Sequence, residues 1–169
     1  DDDSSSTFTI SNSFANGTVV GNDTVGGLVG ELNAWSYGSG NGAKSSINSS
    51  YFSGTVHGTR DSVGGLVGYA YGYGQNNGSG NVIINNSYAT GNVSGRRYVG
   101  GLVGYGYAES NYGFSEQSAT VSISNSYFAG NVSGQQSVGG LIGYNYAYST
   151  GYGYGNATGK ASTAISSSY

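Results

Sequence analysis

The chain of 169 residues contains no cysteine, no proline and no methionine, and only 8% of its residues are charged. Each absence excludes something. Without cysteine there is no disulfide framework and no thiolate metal site. One histidine cannot build a multi-histidine metal centre. Five Lys and Arg against eight Asp and Glu leave no electrostatic footprint for nucleic acid. The one basic pair, Arg96 and Arg97, reads as a solvated turn. No apolar run approaches the ~20 residues of a membrane helix, so no membrane insertion is expected. The chain opens on Asp1 with neither an initiating Met nor a signal-peptide pattern, and reads as a processed chain or a segment of a longer one.

What is abundant is glycine, with 33 copies, and tyrosine, with 17. Together with Ser, Asn and Thr they give the composition of a surface or secreted structural protein, and the expected location is extracellular or at the cell surface.

The second feature is repetition. VGGLVG stands at 25–30, 63–68 and 99–104, and VGGLIG at 138–143. Between the copies run ISNSF (10–14), INSSY (47–51), INNSY (84–88), ISNSY (123–127) and ISSSY (165–169). GTVVG (17–21), GTVHG (54–58), GNVSG (91–95) and GNVSG (130–134) follow in fixed order. Self-similarity at such a period marks a solenoid, a propeller or an array.

Glycine every few residues would cost about 1 kcal/mol each inside a helix, and the apolar pattern alternates with period two. The expected fold is therefore all-β. Each unit reads as three short strands, carrying I-x-[N/S]-S-Y, then G-[T/N]-V, then VGGLVG with its aromatic tail. One unit cannot bury its own apolar face, whereas stacked units can. The prediction is a β-solenoid forming a single repeat domain over 1–169. Four coils of about 37 residues, near 7–43, 44–80, 81–119 and 120–160, are followed by a partial fifth at 161–169. Stacking would align Ile10, Ile47, Ile84, Ile123 and Ile165 in one column. Phe14, Tyr51, Tyr88, Tyr127 and Tyr169 would form a second, and Val25, Val63, Val99 and Val138 a third. Asn12, Asn86 and Asn125, with Ser49 and Ser167 in register, are read either as an amide ladder or as turn residues. A β-propeller-like array is the competing architecture, but its blades need about 40–45 residues and four strands each.

The Gly-Leu-Val-Gly cores at 27–30, 65–68 and 101–104, with Gly-Leu-Ile-Gly at 140–143, resemble the GLUG motif. That motif is a short repeat of large bacterial surface and secreted proteins, adhesins among them. The resemblance spans nearly the whole chain in four units and implies a β-solenoid on a cell surface, with no catalysis. The Tyr-rich tails, such as YAYGYGQNNGSG and YNYAYSTGYGYG, depart from it.

A search for chemistry finds no catalytic, cofactor-binding or metal-ligating set. His57 occupies the slot that holds Val20, Ser94 and Ser133 elsewhere and reads as solvated. The eight carboxylates (Asp1, Asp2, Asp3, Asp23, Asp61, Glu31, Glu109 and Glu116) show no two at one repeat position, so no acid–base pair is suggested. The Asp1–Asp3 run reads as an acidic terminus rather than a Ca²⁺ site. Gly-rich loops lack the Lys and helix of a phosphate loop. No enzyme and no cofactor are expected.

Tyr69, Tyr71, Tyr73, Tyr105, Tyr107, Tyr144, Tyr146 and Tyr148 form rows that either line the core or make a surface strip. The favoured reading puts them in the core and in packing between subunits. Asn-x-Ser/Thr occurs at Asn16, Asn22, Asn48, Asn77, Asn85, Asn92, Asn131 and Asn156, candidate positions for covalent glycans in a secreted chain. The chain begins and ends at the same phase of the repeat, so Ile10, Phe14, Ile165 and Tyr169 are read as assembly ends. The expected partner is another copy of the chain, added head to tail by strand stacking. The expected function is a structural subunit of an extracellular filament. The alternative is an adhesin segment presenting the Tyr strip to a glycan or host surface.

Overall fold

The computed structural model describes residues 6–38, 42–111, 117–150 and 159–169. Asp1, Asp2, Asp3, Glu116 and Asn156 lie outside the described residues. Among the described residues all regular structure is β-strand. The first coil holds β1 (Thr7–Ser11), β2 (Phe14–Gly21), β3 (Val25–Gly26) and β4 (Val29–Tyr37). The second holds β5 (Ala43–Asn48), β6 (Tyr51–Gly58), β7 (Asp61–Gly64) and β8 (Val67–Gln75). The third holds β9 (Gly80–Asn85), β10 (Tyr88–Ser94), β11 (Arg97–Gly100) and β12 (Val103–Asn111). The fourth holds β13 (Gln117–Ser124), β14 (Tyr127–Ser133), β15 (Gln136–Gly139) and β16 (Ile142–Thr150), and β17 (Gly159–Ser166) begins a fifth.

Every pairing is parallel and joins equivalent strands of successive coils. Four sheets result, in the orders β1-β5-β9-β13-β17, β14-β10-β6-β2, β15-β11-β7-β3 and β16-β12-β8-β4. The chain is a β-solenoid of about four coils, stacked at the ~4.8 Å spacing of paired strands. The Ile column, the Phe14–Tyr169 column and the Val column all form in register.

Each coil has four strands, not three, because two corners break the alternation. The first lies at Asn12, Ser49, Asn86, Asn125 and Ser167, whose φ values are 48–49°. Asn tolerates this left-handed conformation best because its short polar side chain bonds locally. These side chains are therefore corner residues, and the aromatic that follows each belongs to the next strand. The second corner lies within VGGLVG itself. β7 ends at Gly64, the chain bends at Gly65–Leu66, and β8 resumes at Val67. Leu66 and Val67 are both buried as a result, which strict alternation forbids.

The repeated hexapeptide is explained by backbone crowding at this bend. A Cβ on Gly65 would strike the Gly101 carbonyl oxygen of the coil above, and one on Gly101 would strike that of Gly140. The same crowding lets the Leu66 N–H reach the Leu102 carbonyl at 3.0 Å and turns both Leu side chains into the core. Each buried Leu, Ile or Val contributes roughly 1.5–3 kcal/mol relative to exposure.

The core has two thicknesses. Between the Ile-bearing and Tyr-bearing sheets the Tyr-bearing strands turn mainly Ala, Gly and Ser inward, with Leu32 the exception in the first coil. A Cβ on Gly72 would lie 2.5 Å from the Gly80 carbonyl oxygen and 2.7 Å from that of Thr120. Ala34, Ala70 and Ala108 fill this side, and the Tyr of the same strands are turned outward. The Tyr rows are thus a surface strip rather than core, because a gap so narrow at Gly72 has no room for their rings. On the wide side a column alternates Ala15, Phe52, Ala89 and Phe128. The Phe52 ring packs where a Cβ of Gly27 would be, and the Phe128 ring does the same at Gly101.

Candidate functional site

The chemistry-bearing features are ladders and ends. A serine ladder runs behind the aromatic column. The backbone N–H groups of Ser13, Ser50, Ser87 and Ser126 donate to the Oγ of Ser50, Ser87, Ser126 and Ser168 at 3.1–3.2 Å. Each Oγ in turn donates to the carbonyl two residues earlier, as Ser87 Oγ does to Asn85 at 2.8 Å. Ser50, Ser87 and Ser126 are buried, so both functions of each hydroxyl are satisfied inside the wall. The serine that precedes every aromatic in the I-x-x-S-[F/Y] motif was the available signal for this ladder.

In front of it, Phe14, Tyr51, Tyr88, Tyr127 and Tyr169 stack at centroid distances of 5.3, 4.7, 4.9 and 5.4 Å with planes within 11° of parallel. The outward Tyr strip does likewise: Tyr69, Tyr105 and Tyr144 stack at 5.2 and 5.3 Å, and Tyr71 and Tyr107 at 5.0 Å. Tyr71 donates to Glu109 at 2.8 Å. Burial, followed by the bond to Glu109, raises the Tyr71 phenol well above its ordinary value; burial also raises Tyr69 and Tyr107. In these two columns ring faces cover one another, whereas Glu109 interrupts the column of Tyr73 and Tyr148. The more exposed rings stand at the two ends of the strip, Trp35 and Tyr37 at one and Tyr144, Tyr146 and Tyr148 at the other.

The Arg pair is not a bare solvated turn. Arg97 makes a bidentate bond to the Asp61 carboxylate across one coil, and Arg96 approaches the same carboxylate at 3.4 Å. The Arg97 bond holds the Asp61 carboxyl below its usual value. Asp23 and Asp61 do share a repeat position, each two residues before the paired Val25 and Val63. They serve structure: Asp23 accepts the Asp61 N–H at 3.1 Å and pairs with Arg60. His57 is exposed and shares a hydrogen bond with Ser94 Oγ at 2.8 Å. Among the described residues no three His, Asp or Glu side chains converge.

Of the sequons, Asn16, Asn22, Asn92 and Asn131 are exposed, while Asn48, Asn77 and Asn85 are half-buried. Asn131 donates its amide to Asn92 at 3.1 Å, so these two positions are neighbours in one column.

The ends carry the largest exposed apolar groups. Phe14 is 67% exposed at one end and Tyr169 79% at the other, with Val20, Val138 and Ile165 also open and Ile10 half-buried. The fourth coil opens into a hollow of about 480 Å³ lined by Phe128, Val132, Val138, Gly140, Leu141 and Tyr169. No family model matches this chain, and no curated protein or solved structure matches it either.

Proposed function

We propose that this chain is a structural subunit that stacks end to end into an extracellular fibre. The observation that carries the reading is the character of the two end faces, which are separated halves of the joint found between coils. Both present unpaired parallel edges, and columns broken off at one face begin again at the other. Ala15 opens the Ala–Phe alternation and Phe128 stands last in it. Trp35 opens the column whose last member is Tyr148. Unpaired strand edges are templates for further strands, and a head-to-tail contact that does not close gives a filament. The composition and the likeness to GLUG repeats support an extracellular setting, where the exposed sequons would carry glycans.

The adhesin reading has less support. Sugars stack on ring faces, and in the Tyr69 and Tyr71 columns those faces are occupied by neighbouring rings.

Negative-stain microscopy of the purified chain tests the proposal. The expected result is uniform fibres with an axial repeat of about 19 Å, four strand spacings. Single short rods at every concentration would contradict the reading.

A further inference from the structure

The four sheets do not hold equal numbers of strands. Among the described residues the sheet containing β1 and β17 has five, and the other three have four each. In a continuous stack every copy must add the same number of levels to every sheet. If β2, β3 and β4 of a second copy lie on β14, β15 and β16, their level in the remaining sheet is already filled by β17. There β17 and the second copy's β1 compete for one place.

The two strands are interchangeable in register. Ile165 stands in the column of Ile10, and Thr163 in that of Phe8. Ser168 extends the same serine ladder that Ser13 begins, and Tyr169 extends the ring stack that Phe14 begins. They are not equal in fit. β17 pairs with its neighbour over eight residues and β1 over five. β1 also sets Phe8, 51% exposed, against buried Ser45, where β17 would bring a hydroxyl.

We propose that copies join by strand exchange: β17 of one copy takes the place that β1 holds in the next, and residues 7–14 of that next copy leave the sheet. This rests on the stacking reading above and names its joint. Ser168 then donates its N–H to Ser50 of the next copy, as Ser13 does within one chain. Tyr169 lies on the next copy's Tyr51. Ala15 of that copy follows Tyr169 in the coil and lands over Phe128, continuing the alternation of small and large. With Val19 and Leu28 it closes the hollow at Val132 and Leu141.

The cysteine-free chain allows a direct test by cross-linking. Ser11, Asn48, Asn85, Ser124 and Ser166 form one outward column. Within a chain Asn48 and Ser166 are three levels apart, about 14 Å at the strand spacing, beyond the ~7 Å limit for a disulfide. A chain carrying Asn48→Cys and Ser166→Cys can bridge in register only if β17 pairs with β5 of another copy. A chain carrying Ser11→Cys and Ser166→Cys bridges in register only if β1 stays and stacks on β17. Both are oxidised under conditions where microscopy shows fibres, then separated without reductant. The expected result is a ladder of covalent multimers from the first pair, formed much faster than from the second. The opposite order, or fibres with neither ladder, would overturn strand exchange while leaving the fibre standing. Chains that remain single rods would overturn both.

Discussion

Gly101 and Gly140 occupy the same position in successive coils, yet their surroundings are opposite. A Cβ on Gly101 would meet the Gly140 carbonyl and the Phe128 ring; a Cβ on Gly140 would meet nothing within 4 Å. Val99 is fully buried, and its counterpart Val138 is 43% exposed. Burial here therefore does not belong to a coil's own sequence. It belongs to having a neighbour above and below. The fourth coil has a coil on one side alone, and apolar atoms that are covered in the inner coils are exposed on its other side.

The comparison can be broken from the inside. Gly101→Ala forces backbone apart across two coils and is expected to abolish folding, read as loss of the β signal in circular dichroism and of the cooperative thermal transition. Leu66→Ala leaves a void at the same corner and is expected to cost about 2–5 kcal/mol, measured by denaturant titration. Leu141→Ala, at the half-buried end position, is expected to cost clearly less. Ser87→Ala removes a buried hydroxyl and strands the Ser50 N–H; the expected loss is about 1–3 kcal/mol. Ser13→Ala, at the end of the ladder, strands no N–H and is expected to cost a fraction of that.

Two pH effects complete the series. The Tyr69, Tyr71 and Tyr107 phenols are raised in the folded chain. Their contribution is complete below the ordinary phenol pKa near 10 and is lost as pH rises above it, because the unfolded chain releases those protons first. Stability is expected to fall above about pH 10, with phenolate absorbance appearing together with unfolding. Asp61 has the opposite sign. Its carboxyl is lowered by Arg97, so its contribution is present above about pH 4 and is lost as pH falls further. For a pair at the surface the effect is expected to be small, and Arg97→Gln should remove most of that acid dependence, Arg96 keeping the remainder.

Much of this architecture was legible in the sequence, because strands one repeat apart pair in register and identical residues then align unaided. The Ile, aromatic and Val columns follow from that alone. The corners were harder. Asn12 and Ser49 keep the parity of a strand on paper, and only their left-handed φ shows that the chain turns there. Leu66 and Val67 break alternation because VGGLVG is itself a bend. The direction of the Tyr rows could not follow from period two, which is symmetric between faces. The small residues facing the other way were the usable sign, since Ala34, Gly72 and Ala108 suit a gap too narrow for rings. The end faces were read from the phase of the repeat, but the competition between β1 and β17 needed the sheet order.

The most direct measurement compares Gly140→Ala with the unaltered chain, by thermal unfolding and by microscopy of concentrated samples. The single-chain fold should be unchanged, because the added methyl meets open space. Fibre growth should stop, because in a joint that methyl would run into the Gly27 carbonyl of the next copy, as Gly101 would with Gly140. Fibres of the same length and repeat from both chains would contradict the claim that the open end is an unfinished interior joint.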